Sequence, residues 1–311
     1  MPVIALTGAT GFVGQAAVAR LRHCFPDTRL RLLVRQPDRR DLPDAFANCE
    51  IIAGDLDNPN AFDRLVRGAG CIVHIAAAIA GNRADDFERA NVAGTRRLAE
   101  ATARQAPEAH LIYLSSLAAR RPELSWYAAS KRAAEEVVTS RTARHSILRP
   151  PAVYGPRDPA LAGLWRMLAR GWLVHPGPAA ARFSILHVDD LVEAICRLID
   201  HGPAGRVMPL AGPQPAGGWR WSEIARVARE KSGRRIRTIP LPAPALRFGA
   251  ASALLLARIV GRQALLSPGK ARELLHPDWV CDNLLIEQCI GWRPVTRLER
   301  TLATLPGWSD A

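Results

Sequence analysis

The stretch Thr7-Gly-Ala-Thr-Gly-Phe-Val-Gly14 decides the fold of this chain. It follows the apolar run Val3–Leu6 and precedes an alanine-rich segment with helical spacing. Its glycines Gly8, Gly11 and Gly14 permit a tight turn, close approach of the backbone to a pyrophosphate, and close packing of helix on strand. The helix N-terminus would present unpaired N–H groups and a positive dipole end to phosphates. The stretch therefore predicts a strand–turn–helix unit that binds a dinucleotide.

Short apolar runs alternate with helix-like segments through the first half of the chain. The predicted strands are Val3–Leu6, Leu30–Val34, Glu50–Ile52, Cys71–Ile75 and Leu111–Leu114. The predicted helices between and after them are Val13–His23, Ala61–Arg67, Asp85–Gln105 and Tyr127–Thr142. Nearly continuous apolar strands that alternate with helices indicate a parallel sheet covered on both faces. The sequence thus predicts an α/β fold with a Rossmann-type doubly wound parallel sheet, whose ligands bind beyond the carboxyl ends of the strands.

The second half of the chain is richer in proline and glycine. Ser184–His187 predicts one more strand, Asp189–Asp200 a helix, and Arg206–Leu210 a strand that rejoins the sheet. For residues 219–311 the sequence predicts a mainly helical region. We therefore expect a cofactor-binding Rossmann domain and a smaller, mainly helical C-terminal substrate-binding region, the first at 1–150 plus about 185–212 and the second at about 151–184 and 213–311.

The composition argues against a disordered, fibrous or nucleic-acid-binding protein. Hydrophobic residues make up 48% of the chain and charged residues 23%, which is typical of a globular protein. The net charge of +13 would suit nucleic acid, but all but three of the 42 basic residues are arginines spread along the chain. Because no nucleic-acid motif accompanies them, we expect a small-molecule substrate and no nucleic-acid partner.

Cysteine spacing and apolar segments predict the compartment. The six cysteines form no CxxC pair and have no metal-ligand spacing with histidine, which indicates reduced thiols and no metal site. The first residues enter a strand at once, without the pattern of a secretory signal. The longest apolar stretch, Phe248–Val260, is interrupted by Arg258 and is too short to span a bilayer. We expect a cytoplasmic protein without a membrane span.

The residues after the second predicted strand bear on the choice of cofactor. Proteins that bind NAD place Asp or Glu at this strand end, where it accepts hydrogen bonds from the ribose. Here Leu30–Val34 is followed by Arg35, and then by Arg39 and Arg40. A guanidinium pairs with a 2′-phosphate, so this pattern favours NADP over NAD. NAD stays possible, because the alternative is a solvated loop in an arginine-rich chain.

Tyr127 and Lys131 stand four residues apart at the start of a predicted helix, which places them on one face. A phenol has a pKa of about 10, and a neighbouring ammonium would lower that pKa toward neutrality. Upstream, Ser116 follows an apolar strand and so lies at the carboxyl edge of the sheet. Together with the glycine turn, these three side chains predict an active site.

At this point the sequence resembles the extended, epimerase/dehydratase-like branch of the short-chain dehydrogenase/reductase family, at least from Val3 to about Leu210. The segments that carry the resemblance are Thr7–Gly14 (TGxxGxxG), Asp55-Leu56, His74-Ile-Ala-Ala77, Tyr127–Lys131 (YxxxK), Arg149–Pro156 and His187-Val-Asp-Asp-Leu191. The resemblance implies that Tyr127 is the general acid/base, that Lys131 lowers its pKa and binds the nicotinamide ribose, and that Ser116, rather than Ser115, orients the substrate oxygen.

The resemblance also implies a set of residues that hold the dinucleotide: Gly8, Thr10, Gly11, Phe12, Val13, Gly14, Arg35, Asp55, Leu56, Ala76, Ala77, Lys131, Pro150 and Val153. Other polar residues are expected to be structural. Asn91 would serve buried hydrogen bonding, and His187 would end a strand and cap a helix. His74 and His175 are expected to be packing or loop residues rather than metal ligands.

Two departures from the family pattern limit what the resemblance implies. Only ten residues separate Ser116 from Tyr127, which is short for the extended branch, so the pocket contacts of relatives do not transfer. Leu117-Ala118 stands where nucleotide-sugar dehydratases of this branch carry an acidic pair, which argues against dehydration.

Three hypotheses about function stay open. The first is an NADPH-dependent reductase or dehydrogenase acting on a carbonyl or secondary alcohol, in which Pro244–Val260 is either an apolar pocket wall or an ordinary packed helix. The second is a nucleotide-sugar epimerase with retained NAD, which would clamp a diphosphate with Arg166, Arg170 and Arg182. The third is a dinucleotide-binding scaffold or redox sensor without turnover. The resemblance also suggests a homodimer.

Overall fold

The computed structural model describes residues 3–38 and 42–308. The strands are, in chain order, β1 (Val3–Thr7), β2 (Leu30–Val34), β3 (Glu50–Ala53), β4 (Ala69–His74), β5 (His110–Leu114), β6 (His145–Arg149), β7 (Ala152–Tyr154), β8 (Trp172–Pro176), β9 (Arg182–Phe183), β10 (Ile185–His187), β11 (Val207–Pro209), β12 (Arg237–Leu241) and β13 (Asp278–Trp279). β1, β2 and β5 are buried at every position, as expected for strands covered on both faces.

The α-helices are α1 (Phe12–Cys24), α2 (Pro59–Val66), α3 (Ala84–Phe87), α4 (Gly94–Gln105), α5 (Trp126–Arg141), α6 (Ala162–Ala169), α7 (Val188–His201), α8 (Trp221–Ser232), α9 (Ala243–Ile259), α10 (Pro268–Leu275), α11 (Leu284–Ile290) and α12 (Leu298–Thr301). A π-helical turn, Glu88–Ala93, joins α3 to α4, so the single helix predicted over Asp85–Gln105 is locally underwound near its start. Short 3₁₀ turns occupy Asp44–Phe46, Leu117–Arg120, Pro122–Leu124 and Leu302–Thr304.

Among the described residues, seven strands form one sheet in the order β11-β6-β5-β4-β1-β2-β3, and every neighbouring pair is parallel. The strand order reverses beside β1, which pairs with β2 on one side and with β4 on the other. In open parallel sheets, ligands bind beyond the carboxyl ends of the strands at such a reversal. The loops that follow β1, β4, β5 and β6 therefore meet at one edge.

Two apolar layers cover the sheet. On one face, α1 and α7 pack their Val18, Leu21 and Leu191 side chains against strand residues such as Leu6 and Leu32. On the other face, α2, α4 and α5 contribute Phe62, Leu98 and Val138. The predicted α/β fold with a Rossmann-type doubly wound sheet is confirmed, and β11 rejoins the sheet beside β6 as expected.

The later part of the chain adds short parallel strand pairs and helices. β7 pairs with β10, β8 with β12, and β9 with β13. The strand predicted over Ser184–His187 begins one residue later, because Ser184 lies between β9 and β10. A separate apolar cluster around Trp165, Trp219 and Leu302 holds this part together. Ile286 and Trp292, however, pack in the same cluster as β1 and α1. No helix in the described residues is long and apolar enough to cross a bilayer.

Candidate active site

The glycine turn after β1 is fixed by backbone packing. Gly8 has a φ of +76°, which disfavours any residue with a side chain, and a Cβ there would lie 2.6 Å from the Ala76 nitrogen. A Cβ on Gly14 would lie 2.0 Å from the Gly8 carbonyl oxygen, so α1 approaches the turn as closely as glycine allows. These two glycines are therefore required by the fold itself.

Gly11 differs from its two neighbours. It precedes α1 with an ordinary φ of −78°, and a Cβ there would meet one atom, the Gly8 oxygen at 3.4 Å. In the first turn of α1 no side chain caps the helix and no acidic residue is present. The N–H groups of Phe12, Val13 and Gly14 have no acceptor within α1, and together with the dipole end they suit the binding of a pyrophosphate.

The segment after β4 is clamped against this turn and against α5. The Ala76 N–H donates to the Thr7 hydroxyl at 3.3 Å. Asn91, in the π-helical turn, accepts from the Ala78 N–H at 2.7 Å and donates to the Ala78 carbonyl at 3.0 Å and to the Ser130 hydroxyl at 2.9 Å. Asn91 is buried, so the expected role in hydrogen bonding is confirmed. It positions the predicted cofactor residues Ala76 and Ala77.

The remaining predicted cofactor residues surround the same sheet edge. Arg35 directly follows β2 and is exposed. Asp55 is exposed and Leu56 half-buried in the loop after β3, where Leu56 packs against Gly94. Pro150 follows β6 and Val153 lies in β7. Arg39 and Arg40, which were considered together with Arg35, lie outside the described residues.

The two serines after β5 have different partners. The buried Ser115 hydroxyl donates to Glu135 at 2.5 Å. The half-buried Ser116 hydroxyl instead accepts from the Ala118 N–H at 3.2 Å, and it acts to lower the pKa of the Tyr127 phenol. Ser115 is thus engaged by Glu135, whereas Ser116 acts on Tyr127.

Burial raises the pKa of Tyr127 to about 12. The Ser116 hydroxyl acts in the opposite direction, and the nearby carboxylate of Glu273 raises the pKa further. This direction differs from the lowering that a neighbouring ammonium was expected to produce. Its cause is that desolvation of the phenolate outweighs the favourable contacts, so the phenol holds its proton at neutral pH.

Lys131 is enclosed within the protein, with 1% of its surface exposed. Its Nζ donates to the Leu114 carbonyl at 2.6 Å and lies 4.3 Å from the centre of the Tyr113 ring. Burial lowers the pKa of this ammonium to about 7, while Glu135 acts to raise it. Lys131 lies in α5, one helical turn after Tyr127, and its Nζ reaches the end of β5. With a pKa of about 7, its charged and neutral forms are similarly populated at neutral pH.

Glu135 is a site residue that the sequence reasoning missed. It lies one turn after Lys131 and forms a buried ion pair with Arg149, whose Nη2 is 2.5 Å from Glu135 Oε2. The same carboxylate accepts the hydrogen bond from Ser115. The Lys131–Glu135 spacing of four residues was the available signal, because it places an acid on the same helical face.

Glu273 is a second missed residue, and it comes from the C-terminal region. The Ser125 side chain caps α5 by accepting from the Ala128 N–H at 2.9 Å, and its hydroxyl donates to the buried Glu273 carboxylate. Lys270 pairs with the other Glu273 oxygen at 2.9 Å. Helix α10 is thereby fixed to the N-terminus of the helix that carries Tyr127, and no local sequence signal predicts this contact.

The histidines singled out earlier are structural. His74 lies between the Thr7 and Thr95 hydroxyls at 2.6 and 2.9 Å, and burial lowers its pKa to about 3, so it is neutral. His175 is buried and stacks on Trp221. His187 caps α7 by accepting from the Asp189 N–H at 3.2 Å. Within residues 3–38 and 42–308, no group of acidic, histidine and cysteine side chains could hold a metal ion.

The arginines proposed to clamp a diphosphate are not brought together. Arg182 forms an ion pair with Asp278 at 2.6 Å. Arg170 lines a cleft of about 250 Å³ together with Arg234, Arg235 and Arg237, and neither Arg166 nor Arg182 reaches that cleft. The geometry therefore gives no support to a three-arginine clamp.

Comparison with known proteins identifies the family of this fold and site. Residues 4–211 match the NAD dependent epimerase/dehydratase family. The chain belongs to that family. A ceramide reductase of Caulobacter vibrioides is 38% identical over 284 residues, covering 89% of this chain and 85% of that protein. The ketoreductase sphI of Aspergillus fumigatus is 28% identical over 282 residues, covering 73% of this chain and 82% of that protein.

The fold of this family member is also shared with solved structures. MoeE5 in complex with UDP-glucuronic acid and NAD superposes with a TM-score of 0.72 at 22% identity, covering 99% of each chain. Membership in the family confirms the resemblance inferred from the motifs. The protein is accordingly an NAD(P)-dependent oxidoreductase or epimerase with a nicotinamide dinucleotide as its cofactor.

Proposed function

We propose that this protein is an NADPH-dependent reductase that converts a ketone into a secondary alcohol, using Ser116, Tyr127 and Lys131. The observation that carries the proposal is the contact of Lys131 with the Leu114 carbonyl at the end of β5. This contact brings the helix of Tyr127 to the strand end that Ser116 follows, and the Ser116 hydroxyl acts to lower the pKa of the phenol. A carbonyl oxygen placed beside both groups would accept a hydrogen bond from each. The serine would then orient the oxygen while the phenol transfers its proton.

The protonation state of Tyr127 favours the direction of reduction. With a pKa of about 12, the phenol is protonated at neutral pH and is a general acid. A nicotinamide dinucleotide held at the glycine turn would supply the hydride for the carbonyl carbon. The carbonyl oxygen takes the proton of Tyr127, so the product is an alcohol and Tyr127 is left as a phenolate. Lys131 lies one turn away and, when its amine is protonated, its positive charge stabilises that phenolate.

The preference for NADPH rests on Arg35. Its exposed side chain follows β2, where an acidic residue would bind the ribose of NAD, and a guanidinium there pairs with a 2′-phosphate through two parallel hydrogen bonds. A charge-assisted hydrogen bond contributes about 1.5–3 kcal/mol, which corresponds to roughly 10–150-fold in affinity. The expected preference for NADPH over NADH lies within that range.

The proposed substrate is a ketone on a ceramide-like lipid. The relative that is 38% identical over most of both chains is named a ceramide reductase. A ceramide contains a secondary alcohol, which is the product that ketone reduction gives. Leu117 and Ala118, at the positions of the dehydratase acidic pair, are both buried and apolar, which also supports reduction rather than dehydration.

The C-terminal region would bind this substrate. We propose the division into a cofactor-binding domain, at 1–150 plus about 185–212, and a substrate-binding region, at about 151–184 and 213–311. The contact of Glu273 with Ser125 supports it, because this contact brings α10 to the N-terminus of the catalytic helix. The segment after Ser116, which borders the substrate pocket in relatives, is short here. We therefore propose that α10 and the residues before it line this side of the substrate pocket.

An assay with matched cofactors and substrates tests the proposal. Wild type is expected to oxidise NADPH when it is given a short-chain ceramide whose secondary alcohol has been converted to a ketone. The reaction should be at least about tenfold more efficient with NADPH than with NADH. Arg35→Ala should remove that preference, and Arg35→Lys should retain part of it. Co-purified NAD, with epimerase activity on UDP-sugars and none on the ketone, would overturn the proposal. Cofactor binding without either activity would indicate the scaffold.

A further inference from the structure

Helix α9 has one buried side and one exposed apolar side. Leu246, Ala250, Leu254 and Ala257 recur at helical spacing and are buried against neighbouring elements, including α10. The opposite side is exposed along its length and carries the large apolar residues Phe248, Leu255, Leu256 and Ile259. Phe248 is 77% exposed and Ile259 73%. A contiguous apolar stripe on the outer side of a surface helix marks an interaction surface.

The chain segment that contains this stripe carries charge of one sign. From Lys231 to Arg272 the chain contains nine basic residues and no Asp or Glu. Arg247 and Arg258 are three helical turns apart, so they share one flank of the stripe, and Arg262 follows the helix. None of these three arginines forms an ion pair with a carboxylate of residues 3–38 or 42–308. The stripe is thus bordered by unneutralised cations.

We propose that α9 docks the protein on the surface of a bilayer that contains anionic phospholipid, with the stripe of Phe248, Leu255, Leu256 and Ile259 lying among the lipids. An apolar helix face bordered by arginines is the pattern of helices that lie in the membrane interface. A symmetric contact with a second copy of this chain fits the charge less well, because it would bring two copies of the same cationic rim together.

The docked helix lies close to the active site. The Arg258 side chain donates to the Asn82 carbonyl at 2.7 Å, and the Asn82 side chain donates to the Arg262 carbonyl at 2.7 Å. Next to Asn82, Gly81 lies directly against the Phe87 ring, whose centre is 6.4 Å from that of Tyr127. If the proposed function holds, a lipid ketone would pass from the membrane to Tyr127 along this short path.

Vesicle binding tests the docking surface without any assay of turnover. Wild type should sediment with vesicles of phosphatidylcholine and phosphatidylglycerol, bind weakly to phosphatidylcholine alone, and be released by salt. The double variant Phe248→Ser/Ile259→Ser should lose binding by about tenfold or more. Arg247→Gln/Arg262→Gln should weaken binding to the anionic vesicles only.

The matched control is Leu284→Ser/Val295→Ser, which removes two equally exposed apolar side chains elsewhere on the surface and should bind like wild type. Unchanged binding of Phe248→Ser/Ile259→Ser would overturn the proposal, as would wild type that binds no vesicles but forms a dimer that this variant dissociates. Failure of the proposed function would be seen separately. A wild-type protein that binds vesicles but does not oxidise NADPH with a soluble ketone would refute the reductase and not the docking.

Discussion

Helices α5 and α9 have nearly equal lengths, of 16 and 17 residues, and depart from ordinary burial in opposite directions. Helix α5 buries two charged side chains, Lys131 and Glu135. Helix α9 leaves Phe248 and Ile259 in contact with solvent. Both arrangements lower stability, because desolvated charge and exposed apolar surface are each unfavourable. Function in this protein is therefore best sought where a helix keeps a feature that folding alone would not select.

The largest expected effect concerns the buried charge of α5. Glu135→Ala leaves Arg149 without its partner in a buried position, so the free energy of unfolding should fall by about 3–5 kcal/mol. The control Glu136→Ala removes an exposed acid of the same helix, paired with Arg132, and should change the free energy by less than about 0.5 kcal/mol. Urea denaturation measures both. Equal effects would show that the two ion pairs are energetically alike.

The next effect separates the two sides of α9. Leu254 is buried and Leu255 exposed, so the same substitution at adjacent positions compares the sides directly. Leu254→Ala should lower the free energy of unfolding by about 2–3 kcal/mol, whereas Leu255→Ala should change it by less than about 0.5 kcal/mol. Thermal and urea denaturation check this difference. A large loss for Leu255→Ala would mean that the outer side is covered within the protein itself.

A smaller effect concerns the pH dependence of stability. The pKa of Lys131 is about 7 in the folded protein and ordinary, near 10.4, when unfolded, so the unfolded state binds more protons between these values. Stability contributed by this group therefore rises with pH, by about 2 kcal/mol from pH 7 to pH 9. Lys131→Met should lack this rise. Urea denaturation of both proteins at the two pH values measures it, and parallel pH profiles would contradict the buried charge.

Much of the fold followed from local patterns. The glycine turn, the alternation of strands and helices, and the Tyr127–Lys131 spacing each lie within one segment, so they were readable before any tertiary contact was known. The choice of Ser116 over Ser115 stays a prediction, and it agrees with the hydrogen bond that engages Ser115 with Glu135.

What the sequence did not predict depends on distant contacts. Ser125 and Glu273 are 148 residues apart, and their hydrogen bond depends on how α10 packs on α5. The raised pKa of Tyr127 is likewise a consequence of burial, which a motif cannot report. For Pro244–Val260, helical spacing was visible, but not that only one of its sides is packed. The two alternatives considered for this segment, a packed helix and an apolar wall, each describe one side at most.

In the proposed ketone reduction, Tyr127 donates the proton. Tyr127→Phe keeps the aromatic ring and its contact with Phe87 but removes the hydroxyl. The decisive measurement is single-turnover oxidation of NADPH with the ketone of a short-chain ceramide, made together with a measurement of NADPH affinity. We expect the rate for Tyr127→Phe to be about 10²–10⁴-fold lower than for wild type, with NADPH affinity unchanged. A rate equal to that of wild type at the same affinity would contradict it.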